Sequence, residues 1–549
     1  MRGNTPFKYI MVILIASIFS VRALFHSGLP PTHDGEYHVI RFYEFYKALD
    51  EGAIYPRWAS DLNLGMGAPL FNYVYPLPNY FSALAHLLGA SFIDAFKLNF
   101  IGATIVGGVS MYFFSRLYFK EIGGVLSSIF YIFAPYRFLD IYIRGSVGEV
   151  WALSFFPAFM WAITKLFQEG KSVYVGLSAV FLALVIFSHN ILALMFFLFS
   201  LFYLFVLIFK SKNPKPRLPS ILLSYALGLG LSGIFWIPAL LEKKYVRGLD
   251  VFDLKGNFPE IFQLLIPSWG SGFSGGNLAG QMSFQIGLAN LLIIFISLLI
   301  FFKLRKMRRE IIFFLTSFFI VFFLMTKTSL FIWENIPLFN YFQFPWRLLS
   351  LEIFITAVLA GFVWRTVSEA KIKGRIKTFV LLVLLFLPAF LTLDYSKPAY
   401  YHQRDDSYYI NRPNFISGTN SPGNLFNTVW AKEIEKINDF RIVEGEGALN
   451  VYKNSSTNYE IKSKSEDKLI VLTNLMHFPG WSLKSEEETM KIRPSKNGQI
   501  EFELPKGENV FYLKLKNTNI QNIGAFLTAL SIIFLAFISI KGNYTIIKR

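Results

Sequence analysis

Four titratable side chains in six residues, His33-Asp34-Gly35-Glu36-Tyr37-His38, follow directly on the apolar stretch 7–25. Charge beside lipid is unfavourable unless it is solvated or used. Asp34 and Glu36 are therefore candidate general bases for deprotonating a bound hydroxyl, with Arg41 a cation close behind. The bland alternative is a solvated connector. His33 and His38 lie five residues apart, on different faces of a helix, and make a poor metal pair; the metal assignment is left open.

Two further constellations carry candidate chemistry. The loop 139–149 holds Asp140, Arg144 and Glu149, preceded by Arg137. Its carboxylates are candidate catalytic groups and its arginines candidate anion ligands. The competing reading is an ion-pair network that braces a short loop. Gln343-Phe344-Pro345-Trp346-Arg347 opens an apolar helix, with Pro345 suited to the first turn. A guanidinium near a helix N-terminus is a ready phosphate site, although Arg347 also suits an interfacial anchor. His189, in a tight turn before Asn190, is a candidate substrate contact or simply a polar turn residue.

These groups must be positioned by a membrane architecture. Of 549 residues, 54% are hydrophobic and only 16% charged, with 61 phenylalanines, unlike a soluble domain. Apolar runs near the roughly 20 residues needed to cross the hydrocarbon recur along the chain. The sequence reads as a polytopic α-helical membrane protein of about twelve transmembrane helices. The absence of cysteine removes disulfides and thiolate chemistry.

The net charge of +17 resides mainly in short loops between spans, so it is no footprint for nucleic acid. With both termini cytoplasmic, basic loops such as 303–309 and 365–377 and the tail 541–549 share one side, as the positive-inside rule requires. The seven histidines and the candidate site residues then face outward. That scheme requires 73–90, with Pro76 and Pro78, not to cross. The organisation predicted is a transmembrane module over 1–394 with outer loops 26–97, 139–149, 242–283 and 326–345. An extracytoplasmic β-sandwich-like domain over 395–520 follows, read from alternating segments such as Gln499–Leu504. A final transmembrane helix and a short basic tail over 521–549 complete it, in the plasma membrane.

His33-Asp34-Gly35-Glu36-Tyr37-His38, Gly52-Ala53-Ile54-Tyr55-Pro56-Arg57-Trp58 and Leu64-Gly65-Met66-Gly67-Ala68-Pro69 resemble a family of bacterial multispanning proteins. That family carries the label "6-pyruvoyl-tetrahydropterin synthase-related" domain. Tyr136-Arg137-Phe138-Leu139-Asp140, Ser188-His189-Asn190, Phe344-Pro345-Trp346-Arg347 and Phe478-Pro479-Gly480-Trp481 continue the resemblance. Nothing in the chain resembles the soluble pterin synthase.

The resemblance implies kinship with GT-C glycosyltransferases, polytopic enzymes that use sugars carried on polyprenyl phosphate. Carried over, Asp34 would be the general base of an inverting transfer, with Glu36 assisting and Asp140 and Glu149 forming the second acidic site. Arg41, Arg57, Arg137, Arg144, His189 and Arg347 would bind substrate. The partners implied are the bilayer, a polyprenyl-phosphate sugar donor and a glycan or lipid acceptor. The candidate cofactor is a divalent metal, Mg or Mn, although the chain has no strict Asp-x-Asp pair. Trp430 and Trp481 are candidates to stack on acceptor sugar. A lipid-linked sugar transporter and a non-catalytic envelope scaffold are the alternatives.

Overall fold

The computed structural model describes residues 7–210, 217–248, 254–273, 276–301, 308–432, 439–486 and 488–540. The tail 541–549 and most of the basic loop at 302–307 lie outside the described residues.

Among the described residues six helices are long and apolar enough to cross a membrane: Phe92–Ile132, Val147–Glu169, Asn190–Phe209, Pro345–Glu369, Gly374–Tyr395 and Asn519–Ile538. Two bent pairs, Leu218–Leu231 with Gly233–Leu241 and Arg309–Met325 with Lys327–Asn335, raise this to eight. Three shorter apolar helices, Phe7–Ser20, Ser172–Ser188 and Leu288–Phe301, accompany them, so the structure supports several spans and does not fix their number at twelve. The first of these gives way to a 3-10 turn at Arg22–Phe25. The longest helix is not one rod.

Within Phe92–Ile132, Lys120 has φ 60° and ψ −169°, and there the chain folds back. Ser128 Oγ donates to the Gly108 carbonyl at 2.8 Å. A straight helix would hold those residues roughly 30 Å apart. Small residues allow the arms to touch: a Cβ on Gly124 would lie 2.9 Å from the Tyr112 ring, and one on Gly108 would lie 2.7 Å from Ile132. Close backbone approach through glycine is the usual way helices associate in lipid. The helix Leu349–Glu369 runs through the middle of the bundle, buried from Leu349 to Trp364.

The segment between the first helix and Phe92 holds no described helix long and apolar enough to cross a membrane. It forms the helix Gly35–Asp50, a glycine-rich turn, and the 11-residue helix Leu77–Leu87. Eleven residues span about 16 Å, half the hydrocarbon thickness.

Near the C-terminal end lie two antiparallel sheets. One has the order β1 (Arg441–Glu444), β4 (Leu469–Met476), β8 (Gln499–Leu504), β7 (Ile492–Pro494). The other runs β2 (Gly447–Ser455), β3 (Asn458–Ser465), β9 (Gly507–Leu515), β5 (Trp481–Lys484), β6 (Thr489–Met490). Alternation places Ile461, Leu483, Phe511 and Leu513 of one sheet against Val471, Ile500 and Phe502 of the other. Each such side chain contributes about 1.5–3 kcal/mol on burial.

Trp58 and Met66 of the first loop enter the same core. Trp58 meets Trp481 edge to face at 5.7 Å, and the Met476 N–H donates to the Met66 carbonyl at 2.8 Å. The sandwich is thereby fixed to the first loop. Buried Glu242, after the bent pair, strengthens that joint: it accepts from Asn72 Nδ2 at 2.8 Å, from Gln521 Nε2 at 2.9 Å and from Thr518 Oγ1. The stretch 395–432 is not part of the sheets and lies along the helix Gly35–Asp50, where Asn420 O accepts from Arg41.

Candidate active site

The chain 139–149, expected as a loop, is a turn of π-helix over Leu139–Arg144, then Gly145 and the start of the helix Val147–Glu169. Asp140 and Glu149 are fully buried and Arg144 nearly so. Arg144 donates from Nη1 to Asp140 Oδ1 at 2.5 Å and from Nη2 to Glu149 Oε1 at 2.6 Å. Glu149 also accepts from Arg347 Nε at 2.8 Å and from the Tyr136 hydroxyl at 2.9 Å. The two arginines, 203 positions apart in sequence, thus share one carboxylate. Their guanidinium groups lie over Trp346, at 4.7 Å for Arg144 and 5.8 Å for Arg347, a favourable cation–π arrangement.

The first loop is docked onto this network through its backbone. The His33 N–H donates to the Ile143 carbonyl and the Asp34 N–H to the Arg144 carbonyl, both at 2.9 Å. Gly145 makes room for the contact: its φ is +71°, and a Cβ there would sit 2.3 Å from Thr32 Oγ1. Asp34 occupies the N-cap position of the helix Gly35–Asp50, yet its carboxylate makes no capping bond. Among the described residues its carboxylate has no hydrogen-bond or ion-pair partner, and it lines the same cavity as Arg41 and Arg144.

Part of this network lines a cavity of about 1180 Å³. Asp34, Arg41, Arg144, His189 and Arg347 are among its polar lining. Apolar lining comes from Ile186, Ile191, Leu194 and Phe197 and from Phe235, Trp236 and Leu240 of the bent pair. Lys243, Tyr341 and Gln343 also line it; none of the three was picked out as a ligand from sequence, although Gln343 precedes the Pro-Trp-Arg run.

Burial shifts the site's titrations. Asp140 is pushed well above the usual carboxylate range, first by burial and then by the Glu149 charge, against the pull of Arg144. His189 falls to about 3; burial dominates, Glu149 opposes it, and Arg347 and Arg144 add to it. Its Nδ1 accepts from the Leu192 N–H at 3.3 Å, and its Nε2 lies 3.8 Å from Glu149 Oε1.

The remaining expected site residues lie elsewhere. Asp140 and Glu149 do not line the cavity and act through the arginines they hold. Glu36 is half-buried and outside the cavity lining. Arg57 donates to Asn72 Oδ1 at 2.8 Å and to the Ile234 carbonyl at 3.2 Å. Arg137 is wholly buried, its guanidinium over Tyr131 at 5.2 Å. Trp481 is a core residue of the sandwich, whereas Trp430 is half-buried against Tyr245.

Among the described residues no three His, Asp or Glu side chains come together as a metal-binding group. Among the described residues Asp34 is the lone carboxylate in the cavity wall, and Glu149 is already paired with two arginines. This donor set does not fit a divalent ion held by the protein alone.

A membrane bundle with a docked β domain and a buried arginine–carboxylate site defines the class. The chain belongs to the membrane-protein family of the 6-pyruvoyl-tetrahydropterin synthase related domain, whose model matches residues 71–401. An uncharacterized protein of Lactococcus lactis subsp. cremoris is 23% identical over 246 residues, 43% of this chain and 40% of its own length. The chain thus matches less than half of that relative.

Among solved structures it is similar to the mycobacterial arabinofuranosyltransferase AftD, with a TM-score of 0.46 and 15% identity, over 71% of this chain and 27% of AftD. The oligosaccharyltransferase of Archaeoglobus fulgidus gives 0.47 and 11%, over 74% and 56%. ArnT of Cupriavidus metallidurans, solved with undecaprenyl phosphate, gives 0.41 and 11%, over 70% and 63%.

Proposed function

We propose that this protein is a membrane glycosyltransferase that takes a sugar from a polyprenyl-phosphate donor and passes it to a hydroxyl of a glycan or lipid acceptor on the outer face. The observation that carries the reading is the cavity itself. Its lining brings together a free carboxylate, three guanidiniums and many apolar side chains of membrane helices. A phosphate attached to a long hydrocarbon needs that pairing of surfaces.

In the reaction, Asp34 takes the proton of the acceptor hydroxyl. The freed oxygen forms a bond to the anomeric carbon as the bond from that carbon to the phosphate oxygen breaks. The electron pair leaves with the polyprenyl phosphate, and attack opposite the leaving group inverts the anomeric centre. Arg144 and Arg347 stabilise the charge that develops on the phosphate, held in place beforehand by Glu149 and Trp346. Glu149 is a positioning residue and touches no substrate. Transport would call for buried charge along the spans; Glu352 is one such group, and it lies outside the cavity lining.

The test is turnover of a panel of polyprenyl-phosphate sugars by purified wild type and Asp34→Asn. Loss of a general base lowers the rate by about 10²–10⁴-fold with donor binding retained. Equal turnover by both proteins removes Asp34 from the mechanism, and failure to turn over or bind any donor removes the transferase.

A further inference from the structure

Gln343 has φ +66° and ψ −53°, a conformation that residues with a side chain rarely adopt. The Phe344 N–H donates to the Phe342 carbonyl at 2.7 Å, an i to i−2 bond. Together these make Gln343 the centre of a γ-turn of the strained, positive-φ kind. Glycine would adopt this backbone without strain, yet the chain carries glutamine. Strain of this sort persists where the surroundings impose it and clusters at binding sites.

The side chain explains the choice. Gln343 Oε1 accepts from Arg347 Nη1 at 2.6 Å, and the Phe342 carbonyl, on the other side of the same turn, accepts from Nη1 at 3.4 Å. Glu149 holds Nε. Arg347 is therefore gripped on two edges, and its Nη2 has no protein partner among the described residues. Both Gln343 and Arg347 line the cavity.

We infer that Gln343 is a positioning residue: its strained turn aims the amide oxygen at Nη1 and so fixes the orientation in which Arg347 presents Nη2 to a phosphate. A relaxed turn would carry the acceptor elsewhere, and the long guanidinium arm would lose one of its two restraints. An acidic residue here would fix Arg347 equally well but would set a negative charge against the phosphate. A neutral acceptor avoids that repulsion. The inference rests on the phosphate-binding reading of Arg347 given above.

The experiment measures binding of undecaprenyl phosphate in detergent micelles, with thermal unfolding, for wild type, Q343A, Q343G, Q343E and R347A. Q343A, which keeps a side chain on the strained turn but no acceptor, should bind about tenfold more weakly, the effect of one hydrogen bond to a charged group. Q343G should unfold at a higher temperature than Q343A and still bind as weakly. Q343E should unfold no earlier than wild type and bind at least as weakly as Q343A.

A purely structural role predicts the opposite coupling, with Q343G regaining affinity together with stability; that result overturns the inference. So does binding by Q343A within twofold of wild type while R347A loses it. If Q343A does not fold, Q343G and Q343E decide the matter by the same comparison. Wild type that fails to bind the lipid at all refutes the phosphate-binding reading and this inference with it; wild-type binding lost only in R347A refutes the inference alone.

Discussion

Replacing Glu149 by glutamine removes one charge and almost no volume, so it isolates the electrostatic part of the site. The amide oxygen can still accept from the Tyr136 hydroxyl. What is lost is the shared counter-charge of Arg144 Nη2 at 2.6 Å and Arg347 Nε at 2.8 Å. Hydrogen bonds to a charged partner contribute about 1.5–3 kcal/mol each, so two give about 3–6 kcal/mol. That agrees with the roughly 3–5 kcal/mol lost when one partner of a buried pair is removed. We expect a loss of about 4 kcal/mol, roughly a thousandfold in the unfolding equilibrium. The assay is denaturant titration in mixed micelles followed by tryptophan fluorescence. Glu369→Gln is the internal control: Glu369 pairs with Arg365 four residues earlier at an exposed end of the helix Leu349–Glu369. Such a pair contributes only about 0.3–0.5 kcal/mol. A loss in Glu149→Gln no larger than in Glu369→Gln would refute the view that this carboxylate organises the site.

Other outcomes follow from single contacts. Glu44, buried in the helix Gly35–Asp50, is held up to about 8 by burial and then by the Asp61 charge, with Lys47 pulling the other way. Its folded value exceeds the ordinary value near 4.5, so the stability it contributes is complete below that pH and is lost as pH rises toward 8, at up to about 1.4 kcal/mol per pH unit. Wild type should therefore melt earlier at pH 8 than at pH 5, and Glu44→Gln should be flat across that window; parallel curves would sink the assignment. Gly145→Ala forces an alanine to φ +71° and puts its Cβ within 2.9 Å of Thr32 Cβ, so the first loop should lift from Arg144. The variant should be destabilised by at least about 1–2 kcal/mol and lose donor binding, and binding at the wild-type level would show that this docking is dispensable. Glu352 is fully buried, and among the described residues neither carboxylate oxygen has a hydrogen-bond partner. Glu352→Leu should gain about 1–3 kcal/mol in the same micelle titration, and a loss of more than 1 kcal/mol would count against an idle carboxyl.

Hydropathy along the chain determined the membrane class, because a helix crossing lipid must satisfy its backbone internally and carry an apolar surface of fixed length. Period-two alternation likewise determined a sandwich, since each strand of a two-sheet core must show one apolar face. Residue types determined where charge would matter: Asp34, Arg144, Glu149 and Arg347 were all legible as groups out of place near lipid. Roles within that set were not legible, because they depend on contacts between segments distant in sequence. Only the tertiary structure could show that Glu149 is consumed by two arginines while Asp34 is left free, or that Arg57 and Trp481 belong to packing rather than to the cavity. Only it could reveal Gln343, an ordinary residue type whose significance lies in a backbone angle and one bond to Arg347. Bends within spans were illegible for a related reason: apolar composition continues through the break between Leu218–Leu231 and Gly233–Leu241, because hydropathy does not register a turn of the backbone.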